Sequence, residues 1–244
     1  VQDTAWSQPL FKGSKLNLFE IPRGLELLDR SDGDWLFEED PPLESDWHVA
    51  AMGLLINLLR DHWEGHEDVY VSGNTVVHFD PAQQKGRVFR APDLYVVKGV
   101  QNKEFRDSWT VWEEGNLAPA FVLELASKRT AKFDVAGKKD IYERELKTPE
   151  YVVYNPHTQE LQGWRLSEGC YVPMLPNSDG WLWCQELELW VGRSEYQFFR
   201  DREAVTMPRF FDRNGQLVLT RDEVQTKRLI EVQAKRKDVA DLRL

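Results

Sequence analysis

Cysteine is nearly absent from this 244-residue chain, which holds only Cys170 and Cys184. That usage predicts a reduced, cytoplasmic protein, with one disulfide as the alternative. Long hydrophobic runs are missing as well. The longest charge-free apolar stretch, Val49 to Leu59, is eleven residues, against the roughly twenty that span a bilayer, so no membrane partner is expected. The first twenty residues carry Lys12, Lys15 and Glu20 and no apolar core, so no secretory signal is expected, and Val1 leaves room for an upstream segment. Positive charge is in short supply: 31 Lys and Arg face 41 Asp and Glu, a net charge of −10. A protein that coats nucleic acid is normally basic, because phosphate neutralisation supplies most of that affinity. The balance argues against a coat protein but does not exclude a locally basic cleft on an acidic body. The common catalytic signatures are also lacking: no GxxxxGK[ST], no GxGxxG after a strand, no HExxH, no GxSxG and no paired CxxC. His62 and His66 stand at i, i+4, but Gly65 lies between them at a helix end, which argues against a zinc pair.

What is present suits one large globular domain. Apolar residues make up 41 % and charged residues 30 % of the chain, and this length buries about 70–75 % of the unfolded surface without staples. The charge is segregated. Residues 26–46 hold nine acidic side chains and one basic, whereas residues 127–139 hold Lys128, Arg129, Lys132, Lys138 and Lys139 against Asp134 alone. Either run reads equally as a solvated face. Ser45 or Asp46 caps a predicted buried helix over 44–63, on which Trp47, Ala50, Ala51, Leu54, Leu55, Leu58 and Leu59 recur at helical spacing. Residues 68–72 and 75–79, joined by Gly73-Asn74, read as a β-hairpin. Strands are expected at 92–97, at 120–125 (apolar on both faces and so central in a sheet) and at 150–154. A helix is expected over 134–146 between the last two, stopped by Pro149. Short β segments at 161–166, 171–175, 181–183 and 188–190 follow, with Trp164, Trp181, Trp183 and Trp190 read as a core plug or a sheet cover in preference to a stacking platform. Residues 221–242 form a charge-rich helix.

The chemistry-bearing residues are carboxylates on strands. Asp93 opens one strand directly after Pro92, and Glu124 stands thirty-one residues later among Val122, Leu123 and Leu125. A carboxylate in such a strand is costly to bury unless a cation compensates. Two of them on adjacent strands make a hard oxygen site of the kind Mg²⁺ or Mn²⁺ prefers. Each reads alternatively as a structural salt bridge or cap. Lys138, fourteen residues after Glu124, could stabilise charge developing on a phosphate or be an exposed helix lysine.

Five pieces in register carry a family resemblance: Pro92-Asp93; Glu124-Leu125-Ala126-Ser127-Lys128-Arg129-Thr130; Asp134 through Lys138 to Tyr142; Thr148-Pro149-Glu150-Tyr151; and Asn155-Pro156. Over residues 44–156 the chain resembles the bacterial putative restriction endonuclease family, Uma-type, of the PD-(D/E)XK nuclease superfamily. The resemblance implies a mixed α/β restriction-endonuclease-like core and Mg²⁺-dependent hydrolysis of DNA. Asp93 and Glu124 would hold the metal. Lys138 would replace the lysine usually found two residues after the acid, where this chain has Ala126, and Lys139 is the neighbouring candidate. Glu44 resembles the extra helix carboxylate of many members, and His48 sits where the family often has a His. Lys128, Arg129 and Lys132 follow the ligand strand, where a phosphate backbone would approach. Lys128 and Arg129 replace the commoner Pro and Ser, and Asn155 the usual Asp.

These readings together anticipate an N-terminal extension packed on the core over 1–43, a restriction-endonuclease-like domain over 44–200, and a tail and helix over 201–244. They anticipate a cytoplasmic bacterial DNA endonuclease that pairs as a homodimer by analogy. The alternative is a catalytically silent nucleic-acid or protein-binding module with the same fold. A metal-dependent hydrolase of small phosphate esters is the third reading; it would need a closed pocket in place of an open groove.

Overall fold

The computed structural model describes residues 45–81, 89–102, 104–126, 137–199 and 202–241. The acidic run before Ser45, together with Glu44, Lys128, Arg129 and Lys132, lies outside the described residues.

Helix α1 (Asp46–His62) starts where Ser45 accepts a hydrogen bond from the His48 amide at 3.2 Å, satisfying one of the first-turn donors. Its buried positions, His48, Ala51, Met52, Leu55, Leu58 and Leu59, follow the i, i+3, i+4, i+7 pattern of one helix face. That face lies on a six-stranded sheet of order β1-β4-β6-β7-β8-β9. Its strands are β1 (Val69–Ser72), β4 (Leu94–Lys98), β6 (Phe121–Leu125), β7 (Glu150–Asn155), β8 (Glu160–Ser167) and β9 (Cys170–Pro173). All neighbours are antiparallel except β6 and β7. Those two are parallel because the chain crosses over between them and passes through α2 (Lys139–Arg144). Every residue of β6 is buried, as expected for a strand covered on both faces.

Two smaller sheets help to cover the large one. Strands β10 (Leu182–Cys184), β11 (Leu189–Tyr196) and β12 (Val205–Phe211) form an antiparallel sheet. Its Leu182, Leu189, Val191, Met207 and Phe210 join α1 and Leu94, Val96, Leu123, Val152 and Tyr154 in one core. On the opposite face lie α2 and the sheet β3-β2-β5, made of β2 (Val76–His78), β3 (Phe89–Arg90) and β5 (Ser108–Thr110). There Val77, Trp109, Tyr142 and Leu146 pack with Tyr95, Val122, Tyr151 and Trp164. Glu150 ties the first strand-end to the β10–β11 turn. Its carboxylate, 1 % exposed, accepts from Arg165 (2.8 Å) and from the Gln185 and Glu186 amides (2.9 and 3.0 Å). Helix α3 (Arg221–Asp241) is held at its first turn by Glu223, paired with the fully buried Arg209 at 2.7 Å.

Several expectations from the sequence are corrected here. Residues 69–72 and 76–78 are strands, but they do not pair: β1 lies against β4, whereas β2 lies against β3 and β5. A two-residue hairpin of type I′ needs positive φ at both turn residues, and only Asn74 has it, at 50°. Gly73-Asn74 instead carries the chain between sheets, with the Asn74 amide on Pro92 O at 2.7 Å. The helix anticipated over 134–146 is α2 with a wide turn at 137–138, the residues before 137 lying outside the description. β5, the outer half of β11 and the whole of β12 were not anticipated. Pro208 and Arg209 argue against a strand in β12, yet it is an edge strand, where a proline removes no needed donor. Trp181 stacks on Phe211 with centroids 3.9 Å apart, and Trp183 meets Trp190 edge-on at 5.2 Å, the sheet-cover role anticipated.

A Cβ added at Gly73 would collide with the Asp93 carbonyl oxygen and approach Ile56 Cδ1 to 2.7 Å. Gly73→Ala is therefore expected to cost roughly 1–3 kcal/mol and to lower Tm; an unchanged Tm would show that the close approach is dispensable. Glu150→Ala leaves two backbone N–H groups without their acceptor. It is expected to cost about 1–3 kcal/mol, read as a lower denaturant midpoint at unchanged m value.

Candidate active site

Asp93 occupies a bend one residue before β4 and is 7 % exposed. The β4–β6 register pairs Leu94 with Leu123, so one step outward sets Asp93 across from Glu124. Both carboxylates thus belong to the same end of two neighbouring strands. Asp93 is held from two sides. Its Oδ2 accepts from the Leu125 amide at 2.7 Å, and His48 Nε2 lies 2.8 Å from its Oδ1. An ionised carboxylate only accepts, so Nε2 then carries the hydrogen. His48 is itself 6 % exposed, and the Ser45 cap fixes the helix turn on which it stands.

Glu124 is 1 % exposed within the most deeply covered strand. Two donors from the α2 region reach it: Lys138 Nζ at 3.0 Å from Oε2, and the Tyr142 hydroxyl at 2.8 Å from Oε1. Lys138 and Tyr142 are four residues apart, one helical turn, which aims both side chains at the same strand. Burial, reinforced by the Glu124 charge, pushes the Tyr142 phenol well above its usual range. Tyr142 therefore stays protonated and donates to Glu124 across the working pH range.

The structure brings Asp93, Glu124, Lys138 and His48 to one end of the sheet. His48 faces Asp93 from a buried position. Lys139 points elsewhere, its ammonium 5.1 Å over the Trp164 ring. Among the described residues, no three or more His, Cys, Asp or Glu side chains form a group able to hold a metal ion. His62 and His66 do not make one either, since α1 ends at His62 and Gly65 turns with φ of 91°. Reading the sequence for site residues missed Tyr142, although its spacing from Lys138 was the available signal.

Two buried carboxylates offer the hard oxygens that Mg²⁺ and Mn²⁺ select. Each of their four oxygens accepts a protein hydrogen bond. Mg²⁺ is commonly held through one or two carboxylates and completes its shell with water, so a two-carboxylate donor set fits such an ion.

No match is found among curated proteins. Among solved structures, a putative nuclease belonging to DUF820 from Anabaena variabilis is similar at 13 % identity, covering 60 % of this chain and 76 % of its own, with a TM-score of 0.45. No helix among the described residues is long and apolar enough to cross a membrane. Residues 28–194 match the family Uma2, described as "Putative restriction endonuclease". That match spans α1, both carboxylate strands, Lys138 and Tyr142, and the chain belongs to the Uma2 family.

Proposed function

We propose that this chain is a metal-dependent endonuclease that hydrolyses DNA phosphodiester bonds at Asp93, Glu124 and Lys138. The observation that carries the reading is the meeting of these three at one sheet end, with Lys138 Nζ 3.0 Å from the buried Glu124. Asp93 and Glu124 would hold the divalent ion, which when bound acts as a Lewis acid and lowers the pKa of water. His48 and the Leu125 amide orient the Asp93 carboxylate, and Tyr142 orients Glu124. Lys138 supplies positive charge beside the phosphate, where negative charge develops on the non-bridging oxygens.

The rival reading, a silent module of the same fold, draws on the fact that each carboxylate is already engaged by protein donors on both oxygens. Calorimetric titration of Mn²⁺ separates the two. The wild type is expected to bind, and Asp93→Asn and Glu124→Gln each to weaken binding by more than the roughly 10–100-fold that loss of an outer-shell partner costs. A folded wild type that binds no Mn²⁺, alone or with a DNA duplex, would sink the nuclease reading.

Lys138 and Tyr142 act on Glu124 in opposite senses. Lys138→Met removes a cation that competes for the carboxylate, so Mn²⁺ should bind at least as tightly while cleavage of a mixed-sequence duplex falls about 10²–10³-fold. Tyr142→Phe removes a neutral donor that holds the carboxylate in place, so Mn²⁺ affinity should fall roughly 10–100-fold. Parallel changes in metal affinity for the two variants would contradict these roles.

A further inference from the structure

Two pairs of side chains leave α2 in different directions. Lys138 and Tyr142 both reach Glu124, at 3.0 and 2.8 Å. Lys139 and Glu143, each one position further along, both reach the β8–β9 hairpin. The Lys139 ammonium lies 5.1 Å over the Trp164 ring in β8, and Glu143 Oε1 accepts the Tyr171 amide of β9 at 2.8 Å. Residues four apart share a helix face, and successive residues are turned by about 100°. Helix α2 therefore gives one face to the buried carboxylate and the adjacent face to the hairpin.

The helix is too short to place itself. It has six residues, and Lys138 at its start makes no side-chain cap hydrogen bond, whereas isolated helices are marginal below roughly 12–15 residues. Its roll about its own axis is set by what its faces meet. The Tyr142 ring, 4.8 Å from Tyr151, anchors one face, and Lys139 with Glu143 anchors the next. The hairpin that receives them is itself fastened to the crossover. Tyr171 stacks on Tyr151 at 6.3 Å, and its hydroxyl donates to Thr148 O at 2.8 Å, just beyond α2. Its amide, turned away from β8, belongs to the last strand of the sheet, where an edge donor needs a cover, and Glu143 supplies it. A roll of about 20° would move side-chain ends, roughly 6 Å off the helix axis, by about 2 Å. That is enough to part Lys138 Nζ from Glu124 Oε2.

We propose that Lys139 and Glu143 are positioning residues for Lys138, fixing the roll of α2 by clamping it to Trp164 and Tyr171 of the β8–β9 hairpin so that the Lys138 ammonium stays on Glu124. The effect on turnover rests on the nuclease reading; the clamp itself does not. A hairpin that carries none of the proposed reacting groups thereby sets where one of them stands.

The test follows cleavage of a mixed-sequence DNA duplex by the full chain with Mg²⁺, together with the Lys138 ammonium resonance, assigned by its loss in Lys138→Met. Glu143→Ala is expected to lower kcat about 10–100-fold at unchanged KM, because the charge it displaces acts in the transition state, and to shift the Lys138 resonance. Glu143→Gln, whose side-chain carbonyl still accepts the Tyr171 amide, should cleave like the wild type. Lys139→Ala should lower kcat in the same sense, and Lys139→Arg, which keeps a cation over the Trp164 ring, should restore it. In a Lys138→Met background Glu143→Ala should cost nothing further, since it acts through Lys138. Equal losses in both backgrounds would make Glu143 a general stabiliser and overturn the proposal. If Glu143→Ala does not fold, Lys139→Ala carries the same cycle. A wild type that does not cleave DNA counts against the nuclease reading alone, and the resonance then decides: a shift in Glu143→Ala supports the clamp, and an unmoved signal overturns it.

Discussion

The structure turns on a carboxylate in the wrong place. Glu124 stands in a strand whose every residue is buried, and a buried carboxylate without compensation is among the costliest features a fold can carry. Lys138 and Tyr142 reach it, and both come from the crossover that makes β6 and β7 parallel. The position of α2 is thereby coupled to the chemistry. The helix must lie where Lys138 and Tyr142 both meet Glu124, and the aromatic contacts around Tyr142, with Tyr151 at 4.8 Å, hold it there. Replacing a buried ion pair by apolar side chains of similar volume is often neutral or stabilising, which points to retention of the Glu124–Lys138 pair for something other than stability.

Asp93 is placed by a different device. It lies just outside the strand, where side-chain alternation no longer dictates a face, and backbone contacts do the work. Gly73 passes against the Asp93 carbonyl, the Asn74 amide binds Pro92 O, and the Leu125 amide takes the carboxylate. His48, fixed by the capped first turn of α1, closes the remaining oxygen. Helix α1 thus has two tasks, an apolar face that seals the core and a first turn that reaches the site.

Much of this could be read from residue order alone. Apolar periodicity and the Ser45 cap give α1, continuous apolar character gives the central β6, and a carboxylate among Val122, Leu123 and Leu125 marks itself as unusual. The failures have particular causes. Gly73-Asn74 has the residue types of a hairpin turn, but whether two strands pair depends on which other strands compete for their edges. β1 found β4, twenty-odd residues away, because that pairing buries both faces of each. In β12, Pro208 and the buried Arg209 look hostile to a strand until the edge position and the Glu223 partner are known.

The sequence by itself determined the local elements and the identity of the chemical groups. A 3.6-residue period, a cap, a proline stop and a carboxylate inside an apolar run are short-range facts, and short-range sterics and solvation act on them directly. Only the tertiary structure decided which groups meet. The opposition of Asp93 to Glu124 comes from strand register, and the contact of Lys138 and Tyr142 with Glu124 comes from the crossover. Such meetings join residues far apart in sequence, and they are set by the burial of whole sheet faces, a long-range constraint that no local pattern encodes.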